Sequence, residues 1–370
     1  MKYLILIILV IYIIDPGCSS PKPKIPVNNK ENIEIVVNPA IDLFSLIHRF
    51  VGDNQYTELL LPEYIAEVEN YFGHLKNHPT IEFAREYNLQ YQINGDAPMA
   101  LAVYIGPPPA LEPRLDLSNL PSAFDPRWDS TLISNYLINA RKFALESNFM
   151  EFHNNQKDFH DMAIANLRKM IGKEQIFEWY YNFFGYYPEN FKMYLALLNG
   201  SCSYGYPVFY PEGETEFVSL IGARFPDNQG FPTYPKNWFL PIMIHEYTHS
   251  YINPLIKSKP EEYKDLGEAL LVTHRAKMIE NGYNVWNVII QEYLVRACTI
   301  HFLEQNEGKR KAQQNIRYDI ESGFTEIEGL VKLLDEYKEN RNTYLNIESF
   351  LPKIKKYFEN YIKQVNSKNN

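Results

Sequence analysis

Apolar positions fall into two rhythms along this chain. Ile33 to Val37 reads as a short strand, the Asn38-Pro39 pair breaks it, and Ile41 to Phe50 then carries apolar residues at helical spacing. Pro62 to Lys76 reads as a second helix with proline at its start, and Thr80 as the cap of a third. Helical spacing dominates from Asp129 to Phe184, where Asp129, Ser130 and Thr131 offer an N-cap and Leu132, Tyr136, Ala140 and Phe143 form a stripe. At Phe191 the rhythm changes. Residues 191–198, 204–210 and 216–222 are short, aromatic or aliphatic, and separated by Asn199-Gly200 and Pro211-Glu212-Gly213, so they predict a small, mostly antiparallel sheet. Helices return from about 237 to the end. Prolines at 107, 108, 109, 113, 121 and 126 predict an ordered surface loop or a join between subdomains. The whole pattern is that of an α+β, mostly helical fold.

The first residues follow neither rhythm. Lys2 precedes an unbroken apolar run from Tyr3 to Ile14. As a helix such a run rises about 18 Å, short of the ~30 Å hydrocarbon core of a bilayer. A basic start, a short apolar run and Gly17-Cys18 predict a signal peptide over 1–17 with Cys18 as the lipidated residue of an exported, membrane-anchored lipoprotein. Asp15 and Pro16 depart from the usual residues at such a cleavage site. The proline-spaced polar stretch that follows predicts a tether over 18–32, with the folded body at 33–370. Composition adds exclusions. With 45% apolar and 22% charged residues in 370, disorder is excluded. A formal charge of −9 lacks the basic footprint of a nucleic-acid binder. Three cysteines cannot build a disulfide framework, although Cys202 and Cys298 could pair in an oxidising compartment.

The chemistry concentrates in the stretch from Trp238 to His249, which contains His245-Glu246-Tyr247-Thr248-His249. Residues four apart share a helical face, so both imidazoles can reach one cation, and Glu246 lies beside that face as a candidate base for a bound water. Asn253-Pro254 is expected to end the helix. A zinc site of this kind needs a third protein ligand, and two glutamates compete. Glu268 has Lys264, Asp265, Leu271 and Val272 around it, the mixed surroundings of a solvated face. Glu292 has Val288, Ile289, Val295 and Arg296; a carboxylate on that apolar face needs a cation, which Arg296 alone could be. These neighbours favour Glu292 and leave Glu268 open.

The run His245-Glu246-Tyr247-Thr248-His249-Ser250-Tyr251-Ile252-Asn253-Pro254, with Glu292-Tyr293-Leu294-Val295-Arg296-Ala297, resembles a domain-of-unknown-function family of secreted or lipid-anchored, gluzincin-type metallopeptidases. The resemblance is specific over about 237–303 and looser over Ile41–Tyr56 and 191–224. It implies a zincin-like catalytic domain that binds Zn2+ through His245, His249 and Glu292, uses Glu246 as base, and takes a peptide or protein substrate. Tyr204, Tyr206, Tyr283 and His274 are candidates for a second oxyanion donor. By analogy with zincins, Glu216–Ile221 would be the edge strand that holds an extended peptide. Two other functions stay open: a non-catalytic binding or scaffold lipoprotein on the same fold, and a hydrolase of non-peptide amides. His48, His74, His78, His153, His160 and His301 show no usable ligand spacing and are assigned no role.

Overall fold

Asn38 both ends the first strand and starts the first helix: its side chain accepts from the N–H groups of Ala40 and Ile41, and Pro39 occupies a first-turn position that needs no donor. The computed structural model describes residues 33–369 apart from 122–123, 172–175, 281 and 284. The expected signal peptide 1–17, the tether 18–32 and Cys18 lie outside the described residues.

Strand β1 (Glu34–Val36) leads into a helical layer: α1 (Pro39–Val51), α2 (Pro62–Phe72), α3 (Pro79–Tyr91), α4 (Ala97–Ala102), α5 (Ser130–Glu146), α6 (Phe149–Asn155), α7 (Lys157–Met170) and α8 (Ile176–Phe184). Then come β2 (Asn190–Ala196), β3 (Tyr204–Phe209), β4 (Thr215–Gly222) and a minor ladder of β5 (Phe225–Pro226) and β6 (Pro232–Thr233). The chain closes with α9 (Lys236–Lys257), α10 (Pro260–Thr273), α11 (Arg275–Glu280), α12 (Trp286–Glu307), α13 (Lys309–Glu321), α14 (Ile327–Glu339) and α15 (Ile347–Asn369). The fold is thus mostly helical with a small mixed sheet, and one continuous core runs from Ile33 to Phe358. Among the described residues no helix is long and apolar enough to cross a membrane. Cys202 and Cys298 form no disulfide among the described residues.

Four local expectations need correction. The main sheet has the order β1-β2-β4-β3, with β1–β2 and β2–β4 parallel and β3–β4 alone antiparallel, so it is not mostly antiparallel. Parallel neighbours need long crossovers, and the whole helical layer supplies the one between β1 and β2. The tight turn at Pro211-Glu212-Gly213, with Gly213 at φ 91°, makes the β3–β4 hairpin of this sheet. Second, β4 is interior and buried along nearly its full length, so Glu216–Ile221 cannot be a peptide-binding edge; the edge on that side is β3. Third, α9 continues through Asn253-Pro254 to Lys257. Pro254 removes one helical donor, but Tyr251, Ile252 and Ile256 around it are fully buried, and that packing holds the helix together. Fourth, the cap of α3 is His78, whose Nδ1 accepts from the N–H of Thr80 at 3.1 Å.

Two packing details place the site. Helix α9 lies between β3 and β4 on one side and α12 on the other. At its closest approach, β3 presents Gly205, where a Cβ would fall 1.7 Å from the carbonyl oxygen of Glu246. Only glycine lets strand and helix backbones meet so closely. On the other side Gly267 of α10 lies under Trp286, where a Cβ would fall 2.4 Å from its carbonyl oxygen, which lets α10 cross the start of α12. The outer edge of β3 is partly closed: Pro207 has no N–H, and the Tyr104 hydroxyl donates to the Pro207 carbonyl (3.1 Å) and accepts from the Phe209 N–H (3.4 Å).

Candidate metal centre

Helix α9 carries His245 and His249 one turn apart, and their Nε2 atoms stand 3.1 Å from each other. Helix α12 brings Glu292 to the same point: its Oε2 is 3.7 Å from His245 Nε2 and its Oε1 3.3 Å from His249 Nε2. In a tetrahedron of ligands about 2.0–2.1 Å from zinc, neighbouring donors stand roughly 3.3–3.4 Å apart. The three donors already span that size. Two nitrogens and a carboxylate are also a donor set suited to zinc. The carboxylate side chain is 7% exposed, whereas those of His245 and His249 are 20% and 14% exposed, so the cluster opens to solvent on its imidazole side.

The surroundings orient two of the three donors. Asn253 Oδ1 lies 3.2 Å from His249 Nδ1; with the ring proton there, donated to the amide oxygen, the Nε2 lone pair faces the cluster. Arg296, one turn beyond Glu292, donates from Nε to Glu292 Oε2 at 3.0 Å, from Nη1 to Asp319 Oδ1 of α13 at 2.6 Å, and from Nη2 to the Tyr283 hydroxyl at 2.9 Å. Tyr283 in turn donates to Glu292 Oε2 at 3.2 Å. The guanidinium also stacks on Phe324, 4.3 Å from the ring centroid. Glu292 is therefore clamped from behind while its front faces the imidazoles. Burial works against its charge, but Arg296 and the two histidines hold its carboxyl well below the usual carboxylate range. Burial pushes His245 down to about 4, against the pull of Glu292, which keeps its ring neutral at pH 7.

Glu246 lies next to His245 on α9, near enough to the network for the charges of His249, Glu292 and Arg296 to act on it. It is 7% exposed, and burial raises its carboxyl to about 8, with His249 opposing and Glu292 reinforcing the shift. Glu268 is elsewhere: it lies on the solvent face of α10, its side chain 54% exposed and 3.9 Å from Lys264. The expected oxyanion donors have other partners. Tyr204 donates to Gln55 Oε1, Tyr206 to the Asp96 carbonyl, Tyr283 to Glu292, and His274 Nε2 lies 2.9 Å from the Tyr361 hydroxyl.

A model of the family described as Domain of unknown function (DUF4932) matches residues 33–357. The chain belongs to this family. No curated protein and no solved structure matches it. Within this DUF4932 chain, sequence reasoning named the three converging donors and Arg296 but missed Asn253, Tyr283 and Asp319 as their supports. A signal for Asp319 did exist: a guanidinium has five donors, and one carboxylate cannot satisfy them in a buried site. A second grouping was missed outright. His153 of α6 and His160 of α7, both read as isolated, lie together with Asp42 of α1.

Proposed function

We propose that this chain is a zinc-dependent peptidase with a zincin-like fold, in which His245, His249 and Glu292 hold the ion and Glu246 is the general base. The convergence of two imidazole nitrogens and a carboxylate within 3.1–3.7 Å, open to solvent on one side, carries the reading. Zinc bound there would polarise a scissile carbonyl and lower the pKa of a water towards 7. Glu246 would accept a proton from the attacking water and pass it to the leaving amine. Arg296 and Tyr283 keep Glu292 ionised and aimed, and Asn253 sets the tautomer of His249. A retained Glu246 is the feature that favours catalysis over a purely binding role, because a ligand-only site has no use for a buried carboxyl that coordinates nothing.

A peptide or protein substrate is part of the same proposal. An extended backbone could pair with β3 over Tyr204–Tyr206, since Tyr104 and Pro207 close the rest of that edge. Export and membrane attachment through Cys18 are proposed from the leader residues Lys2 to Cys18. The test is zinc content of the purified chain together with cleavage of a mixed peptide pool, with and without chelator. Chelator-sensitive cleavage that disappears in Glu246→Gln while zinc stays bound supports the proposal. Full cleavage by Glu246→Gln, or a chain that binds no zinc, overturns it.

A further inference from the structure

Asp42 is an anomaly. It sits in the first turn of α1 among Ile41, Leu43 and Phe44, all fully buried, and is itself 2% exposed. Among the described residues neither of its carboxylate oxygens finds a hydrogen-bond partner. A buried carboxylate without donors costs several kcal/mol, and the N-terminal end of a helix offsets only about 1 kcal/mol of that. What faces it is a pair of histidines. His153 Nδ1 of α6 stands 3.2 Å from Asp42 Oδ2, near enough for charge attraction but not aligned as a hydrogen bond. His160 of α7 is 6% exposed, and its buried Nε2 has no hydrogen-bond partner among the described residues. The two imidazoles lie 4.7 Å apart between centroids, at 46°. One ligand atom from each of Asp42, His153 and His160 falls within 4.8 Å of the others.

We propose that Asp42, His153 and His160 form a second divalent-metal site, separate from the cluster on α9 and α12. A cation between them would satisfy every anomaly at once: it pairs the orphan carboxylate, gives His160 Nε2 a partner and accounts for two rings crowded around one point. Two imidazoles and one carboxylate favour a zinc-like first-row ion over magnesium or calcium, which take oxygen ligands. The donors lie within 4.8 Å of one another, and His153 Nδ1 already stands 3.2 Å from Asp42 Oδ2, so side-chain motion of at most about 1.5 Å would bring all three to the roughly 3.3 Å that tetrahedral zinc requires. The walls are apolar and aromatic. Phe149 stacks near His153 at 5.9 Å and Tyr64 lies edge-on to His160 at 6.3 Å, so little else competes for the charge. Such an ion ties α1, which carries the sheet-side core, to the α6–α7 pair.

The test is zinc stoichiometry. The full-length chain is stripped with chelator, reloaded with Zn2+, desalted and analysed for metal per chain. The wild type should hold two equivalents, His249→Ala one, Asp42→Asn one, and the double variant none. His249→Ala leaves the second site untouched, so it reads that site even if Asp42→Asn fails to fold. Loss of all zinc in His249→Ala, or two equivalents retained in Asp42→Asn, overturns the proposal and leaves a buried water as the occupant. One equivalent in the wild type, kept in His249→Ala and lost in Asp42→Asn, would instead uphold this site and remove the peptidase centre.

Discussion

Replacing Glu246 with glutamine should damage the reaction and strengthen the fold. Burial lifts the Glu246 carboxyl from 4.5 to about 8 in the ion-free protein. The unfolded chain releases that proton at the ordinary value, so the folded state is favoured at low pH and loses stability as pH rises between the two. Linkage gives a cost of about 1 kcal/mol at pH 5, about 3 at pH 7 and about 4 at pH 8. Glutamine keeps the shape and cannot ionise, so the variant should escape this cost. Urea unfolding of chelator-stripped wild type and Glu246→Gln would read it: the variant's advantage should grow by roughly 3 kcal/mol from pH 5 to pH 8. Peptide hydrolysis by the zinc-loaded variant should fall 10²- to 10⁴-fold, the usual worth of a general base. A stability difference that stays flat with pH would show that Glu246 is not strained by burial. A variant less stable than wild type at pH 8 would reverse the argument.

Three further outcomes follow from the geometry. Glu292→Gln should lose zinc in a competition assay with a chromophoric chelator, while Glu268→Ala, on an exposed face, should bind as wild type. Arg296→Met leaves Glu292 and Asp319 without their shared cation and should cost about 3–5 kcal/mol in urea unfolding of the stripped protein; a loss below 1 kcal/mol would mean the carboxylates find other partners. Gly205→Val would drive a side chain into the Glu246 carbonyl and should lower thermal stability and hydrolysis together, by at least the 1–3 kcal/mol typical of overpacking, about; a fully active, equally stable variant would show that β3 can withdraw from α9.

The site was legible where its logic is local. His245 and His249 belong together because a helix turn puts them there, and Glu292 stood out because its own neighbours are apolar. The α+β character and the three strands from 190 to 222 were readable from spacing and from the glycines and prolines between them. Pairing direction was not, because β1 meets β2 only after the whole helical layer intervenes, and no short-range pattern records that crossover. The Asn253-Pro254 stop signal was genuine local chemistry overruled by burial around it. Asp42, His153 and His160 escaped for the same reason as the parallel pairing: three helices contribute one donor each, so no periodicity links them. Asp42 alone gave a hint, as an acid inside the apolar run from Ile41 to Phe44.

The blocked rim of β3 has a consequence for molecules crowded on a surface. Exposed sheet margins invite copies to zip together into fibrils. Here one margin meets a proline and a tyrosine hydroxyl, and the opposite one is a three-residue β1 beside which Lys192 reaches Glu34 at 3.3 Å. Neither margin offers a long, flat row of free donors and acceptors, so many copies held side by side would resist polymerising through their sheets.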